Sequence, residues 1–236
     1  MRKILFNKNG DVGAIGIGAM IVLIAMILVA GVAASVLVST SNTIQSQALK
    51  TGSQTTREVS SGLSVYSVIG QVNVTGNESD GYTYNDIWCL AVTVSPKPGS
   101  DKIDLNNTYI LLSNGEKKAL LSYAGYNDSS FYDPEVNGDL FTSDDANVNW
   151  TNLSSEQFGI GVLQDYDTSM SQSNPVLTRG DKAVIYIFTN DTTGVFSDQI
   201  ETRTEIFGRV IPEIGAPGVI SFTTPKAYVD KIYTLQ

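Results

Sequence analysis

The 236-residue chain carries 15 Lys and Arg against 24 Asp and Glu, a net charge of -9; that field repels phosphate backbones and argues against a nucleic-acid partner. It has no His and a single Cys, Cys89, which excludes zinc sites built on His and Cys, Ser-His-Asp and Cys-His nucleophiles, and any intrachain disulfide. An enzyme has no anchor here, and no catalytic or cofactor-binding residue is assigned.

The first element is a leader, residues 1–13, MRKILFNKNGDVG, with Arg2, Lys3 and Lys8 as the positive flank expected on the cytoplasmic side. Behind it, no charge falls between Ala14 and Val38. As a helix those 25 residues rise about 37 Å, enough to cross a hydrocarbon layer of about 30 Å. The run is longer than the apolar core of a secretory signal, and no small-residue cleavage site closes it. From Ser39 to Ser61 there is no Pro, and Ile44, Ala48, Leu49 and Val59 fall at spacings suited to one helical face. One helix is therefore predicted over residues 14–61, apolar all round at first and amphipathic at its end. Small residues recur four apart at Ala14 and Gly18, Ala30 and Ala34, and Gly31 and Ser35, a spacing that lets helix backbones approach closely.

Residues 62–236 change character to short β-rich runs punctuated by Gly, Asn, Asp and Pro, the pattern of a sandwich or barrel. Strands are predicted at Leu63–Val74, Ile87–Val94, Thr108–Leu112, Ala119–Tyr123, Phe158–Leu163, Ala183–Thr189, Glu205–Ile211, Gly218–Thr223 and Ala227–Tyr233. The run Ile87 to Val92 is apolar at every position, which predicts a central strand with Cys89 as a small buried hydrophobe. Turns are predicted at Pro96-Lys97-Pro98-Gly99, Asn114-Gly115, Asn137-Gly138 and Arg179-Gly180-Asp181.

Seven Asn-x-Ser/Thr sequons, at Asn73, Asn77, Asn106, Asn127, Asn149, Asn152 and Asn190, exceed the roughly three that composition predicts and point to an exported, glycosylated surface. Asp145, Asn147, Asn149 and Glu156 hold the first, third, fifth and twelfth places of a calcium-loop pattern, with Trp150 where the turn Gly belongs. Calcium is the one cofactor the sequence suggests. The Gly13-x-x-Gly16-x-Gly18 spacing follows no strand, so it is no phosphate cradle. The pairs Asp144/Asp145 and Asp165/Asp167 are expected to be solvated loop charges, and the Arg179-Gly180-Asp181 tripeptide a hairpin turn.

The segment Gly13-Ala14-Ile15-Gly16-Ile17-Gly18 with the apolar run after it resembles the amino terminus of archaeal flagellins, the archaellins. So does the far end, RVIPEIGAPGVISFTTPKAYVDKIYTLQ from Arg209 to Gln236, and LTRGDKAVIYI from Leu177 to Ile187. The resemblance implies an α+β chain: a long hydrophobic N-terminal helix followed by an all-β, immunoglobulin-like sandwich. It implies cleavage by a prepilin-type signal peptidase between Gly13 and Ala14, with Gly10 as the alternative. Removing three basic residues and one acidic residue from 15 and 24 leaves 12 and 23, a net charge of -11. It further implies residence in the cell membrane as a precursor, then an extracellular filament made of itself or of related archaellins, turned by the archaellum motor and platform proteins for swimming. An adhesive pilin is the nearest alternative; such pilins resemble one another in a Glu at the fifth mature position, where this chain has Gly18. A membrane-anchored monomeric binding domain is the third.

Overall fold

The structure is a computed structural model that describes residues 9–77, 81–126, 128–141, 149–189, 194–196 and 199–236. It divides into two compact units, Met1–Gln54 and Thr55–Gln236. The first is almost wholly one helix, α1 (Asn9–Ser60), whose 52 residues span about 78 Å at 1.5 Å each. Its described part reaches five residues ahead of the predicted start.

The second unit holds twelve strands among the described residues. They are β1 (Leu63–Asn77), β2 (Gly81–Pro96), β3 (Ile103–Asp104), β4 (Tyr109–Ser113), β5 (Lys118–Tyr123), β6 (Tyr132–Asp133), β7 (Gln157–Gln164), β8 (Val176–Leu177), β9 (Lys182–Phe188), β10 (Glu205–Ile211), β11 (Gly218–Thr223) and β12 (Ile232–Thr234). Ten of them form one sheet in the order β11-β10-β4-β5-β7-β9-β2-β1-β12, with β6 beside β7. The sheet folds over at the short parallel pairing of β5 with β7, Ser122 opposite Gln157 and Tyr123 opposite Phe158. Two layers result, and one core lies between them: Val68, Leu90, Val92, Ile160, Ile185 and Ile187 from the larger layer meet Ile110, Leu112, Leu121, Ile206, Val210 and Ile220 from the smaller. The sandwich is therefore present, with parallel pairings at β5/β7 and β6/β7 that distinguish it from an all-antiparallel one.

The two far ends of the sheet meet. Leu63 N donates to Ala216 O and Ala216 N to Ser61 O, while Gln236 bridges β1 to β11. Its backbone exchanges bonds with Val68, its side-chain Oε1 accepts from Ser221 N at 2.8 Å, and its Nε2 donates to Val219 O at 3.2 Å. Edge groups that would otherwise template another strand are thereby occupied.

As predicted, β2 is central, between β9 and β1, and Cys89 is buried. Its outer face is covered by a second cluster in which Trp150 stacks on Tyr186 at 4.0 Å. All four predicted turns carry a Gly with positive φ: Gly99 (85°), Gly115 (90°), Gly138 (77°) and Gly180 (102°). The last predicted strand shortens to Ile232–Thr234, because Tyr228 turns inward to donate from its hydroxyl to Ile200 O.

Gly208 marks the tightest approach in the smaller layer: a Cβ there would strike the Leu111 carbonyl oxygen and the Leu112 side chain. Gly208→Ala is expected to cost about 1 to 3 kcal/mol, since the obstacle is partly backbone. Denaturant unfolding followed by the fluorescence of Trp88 and Trp150 measures this; an unchanged midpoint would contradict the packing described.

Candidate functional site

The first twenty-odd residues of the apolar stretch present a surface with no cover. From Ile15 to Val38 every large apolar side chain is more than half exposed, from Ile24 at 53% to Ile15 at 72%. α1 is long and apolar enough to cross a membrane by length and composition, and none of its most apolar window is buried. Burying one such side chain gains about 1.5 to 3 kcal/mol relative to water, so an isolated helix of this kind in water is strongly disfavoured. Where the apolar stretch gives way to the polar one, Thr40 Oγ1 donates to Val36 O at 2.8 Å and Thr43 Oγ1 to Ser39 O at 3.0 Å. These hydroxyls are satisfied within the helix and need no water.

The helix glycines sharpen the point. A Cβ added at Gly13, Gly16, Gly18, Gly31 or Gly52 would meet nothing within 4 Å among the described residues. Each costs about 1 kcal/mol of helix propensity relative to Ala, and no contact within the chain requires the missing side chain. Small residues at Gly18, Ala30, Gly31, Ala34 and Ser35 leave room for another helix to approach closely. Gly13 and Ala14 lie in the early turns of α1, so the predicted scissile bond belongs to helical backbone.

The sequons are spread over the second unit. Asn73 lies half-buried on β1, at an irregularity where Val72 faces Ile87 and Val74 faces Tyr84. Asn77 closes β1, and Asn127 and Asn190 lie outside the described residues. Asn106 stands before β4 with its sequon hydroxyl, Thr108 Oγ1, buried and donating to Asp104 O at 2.9 Å. Asn149 and Asn152 are exposed at the two ends of a 3-10 turn, and Asn149 Oδ1 accepts from Thr151 N. Of the predicted calcium loop, Asp145 and Asn147 lie outside the described residues, Asn149 serves as this cap, and Glu156 is exposed.

One cluster escaped the sequence reading. Asp165, Asp167 and Asp181 bring carboxylate oxygens within 4.8 Å of one another, a set of oxygens that could hold a hard cation. Asp181 at the end of the predicted turn is fully buried, and Asp165, expected as a solvated loop charge, is half-buried, while Asp167 is exposed. Asp165 accepts from Ser169 N and Met170 N, and Asp181 from Tyr166 N and Thr178 N. The sequence separates Asp181 from the other two by the whole of β8, so no local spacing signals the cluster.

The archaeal-type flagellin family model matches residues 13–222. Flagellin B2 of Methanocaldococcus jannaschii is 43% identical over 234 residues, covering 99% of both chains. Flagellin B1 of Thermococcus kodakarensis is 39% identical, covering 95% of this chain and 98% of the relative. The crystal structure of archaeal flagellin FlaB1 from Methanocaldococcus jannaschii superposes with a TM-score of 0.59 at 33% identity, over 75% of this chain and 97% of that one. A subunit of the archaeal flagellum of Methanospirillum hungatei shares the fold, with a TM-score of 0.57 at 14% identity over 93% of this chain and 98% of that one. The chain belongs to the archaeal-type flagellin family.

Proposed function

We propose that the chain is the structural subunit of an archaeal flagellum filament, extracellular and assembled from many copies through α1. The observation that carries this reading is the pairing of an uncovered apolar helix with a β-sandwich that satisfies its own core. A monomer in water has no place for such a helix. A membrane shelters it before assembly, and the helices of other copies shelter it afterwards. A head-to-tail contact whose rotation does not close yields an open helical polymer. Names of close relatives, flagellins throughout, support the same role.

In this reading a prepilin-type peptidase cuts between Gly13 and Ala14 and frees the helix from its basic leader. The exported surface carries glycans at the sequons, with exposed Asn149 and Asn152 the most accessible of those described. Motor and platform proteins of the cell envelope hold and turn the filament for swimming.

The test is electron microscopy of filaments sheared from cells, together with amino-terminal sequencing and glycopeptide mass spectrometry of the same material. Helical filaments built from a chain that starts at Ala14 are expected. A chain starting at Met1, or surface protein that never polymerises, would refute the proposal.

A further inference from the structure

An antiparallel layer with one solvated face normally alternates apolar residues inward with polar residues outward. The smaller layer, β11-β10-β4-β5, breaks that rule on its outer side. Its inward positions Ile110, Leu112, Leu121, Ile206, Val210 and Ile220 are fully buried. Its outward positions include Tyr109, Leu111, Leu120, Phe207, Ile211 and Val219, with exposures from 36% to 57%. Register makes them one patch. Val219 lies opposite Arg209, Arg209 opposite Leu111, and Leu111 opposite Leu120, a row across all four strands. Ile211 opposite Tyr109 forms the next row. A groove of about 510 Å³ at the Tyr109, Lys118 and Leu120 end opens onto the same face. An exposed apolar patch of this kind, with Arg209 in its midst, marks an interaction site.

We infer that this outer face of the β11-β10-β4-β5 layer is a second subunit-to-subunit contact, covered in the filament by a neighbouring copy of the same chain. Two observations choose that occupant. The four strands carry Lys118 and Arg209 against Glu205, and Glu156 lines the groove at their edge, so this face is near neutral whereas the whole chain has a net charge of -9. An acidic copy is therefore repelled less here than over the rest of another copy's surface, which favours approach at this face. The seven sequons avoid it as well: none begins on β4, β5, β10 or β11, and none lies beyond Asn190. A face that must be covered by protein cannot carry a glycan. The α1 bundle and this face would then hold each subunit at two places.

The inference rests on the filament reading, and the test separates the two. Leu120→Cys and Val219→Cys, each with Tyr166→Cys as an 85% exposed reference site, are labelled with a fluorescent maleimide in sheared filaments and in detergent-dispersed subunits. Native Cys89 is silent, because burial pushes its thiol up to about 12 and only a thiolate reacts. Labelling at positions 120 and 219 is expected to fall by about tenfold or more in filaments, while position 166 keeps its rate. Equal rates in intact filaments and in detergent would overturn the inference and leave the filament reading standing. Protection already present in dispersed subunits would also overturn it, since the cover would then not be a second copy. A wild-type chain that forms no filament would remove the filament reading itself, and this inference with it. As a second measurement, Leu120→Lys should lower the yield of sedimentable filament without moving the unfolding midpoint; normal yield would count against the contact.

Discussion

Leu28→Asp is expected to abolish sedimentable filament while leaving the unfolding of the β-sandwich where it was. Leu28 lies midway along the charge-free stretch, 65% exposed, in the unit Met1–Gln54. An Asp at the centre of a membrane helix costs about 2.5 to 3.5 kcal/mol on insertion scales. In a helical bundle the penalty repeats in every subunit, because each carboxylate is taken from water with no partner to receive it. About two orders of magnitude or more in the subunit equilibrium follow from about 2.5 to 3.5 kcal/mol per contact. Leu28→Ile, which keeps apolar volume, should assemble normally. Sedimentation of sheared material and denaturant unfolding of the full chain in detergent measure the two halves of the statement. Filaments at wild-type yield with Asp at position 28 would show that α1 does not line the filament core.

How far the sequence revealed the molecule depended on whether the determining signal was local. α1 was legible because a charge-free run from Ala14 to Val38 has few alternative fates. The glycine turns were legible for a related reason: positive φ at Gly99, Gly115, Gly138 and Gly180 is a demand that few other residues meet. β10 and β11 were found with their full ranges because each is a short β-rich run closed off by prolines, at Pro212, Pro217 and Pro225. The two-residue strands β3, β6 and β8 were not found, since pairs so short exist only through their partners, as Ile103 does opposite Leu177. Register was equally hidden. The outward apolar row Val219, Arg209, Leu111 and Leu120 draws one residue from each of four segments, and nothing in any one segment announces it. Asp165, Asp167 and Asp181 illustrate the same limit for a polar cluster: the pair looked like loop charge and the third like the end of a turn until the β8 excursion brought them together.

Asp181→Ala is expected to destabilise the second unit by about 3 to 5 kcal/mol, more than Gly208→Ala. The carboxylate is fully buried and is the common acceptor for two connections that have little regular structure of their own. Oδ1 accepts from Tyr166 N at 3.0 Å, just beyond β7; Oδ2 accepts from Ser169 Oγ at 3.3 Å, and from Thr178 N and Oγ1 at 2.7 and 2.9 Å, just beyond β8. Alanine would leave the Tyr166 and Thr178 amides without this acceptor, while Ser169 Oγ keeps Val176 O at 2.7 Å. Removing a negative charge from beside Asp165 and Asp167 relieves repulsion, but solvent screens the exposed Asp167, so the relief is the smaller effect. The lost bonds therefore decide the sign. Asp167→Asn should leave the unfolding midpoint close to wild type, because that side chain is exposed and an amide oxygen can still accept from Ser169 N. Unfolding of the full-length chain in detergent, read by the two tryptophans, compares the pair. A midpoint for Asp181→Ala within about 1 kcal/mol of wild type would mean that the buried carboxylate does not hold the β7-to-β9 connection together.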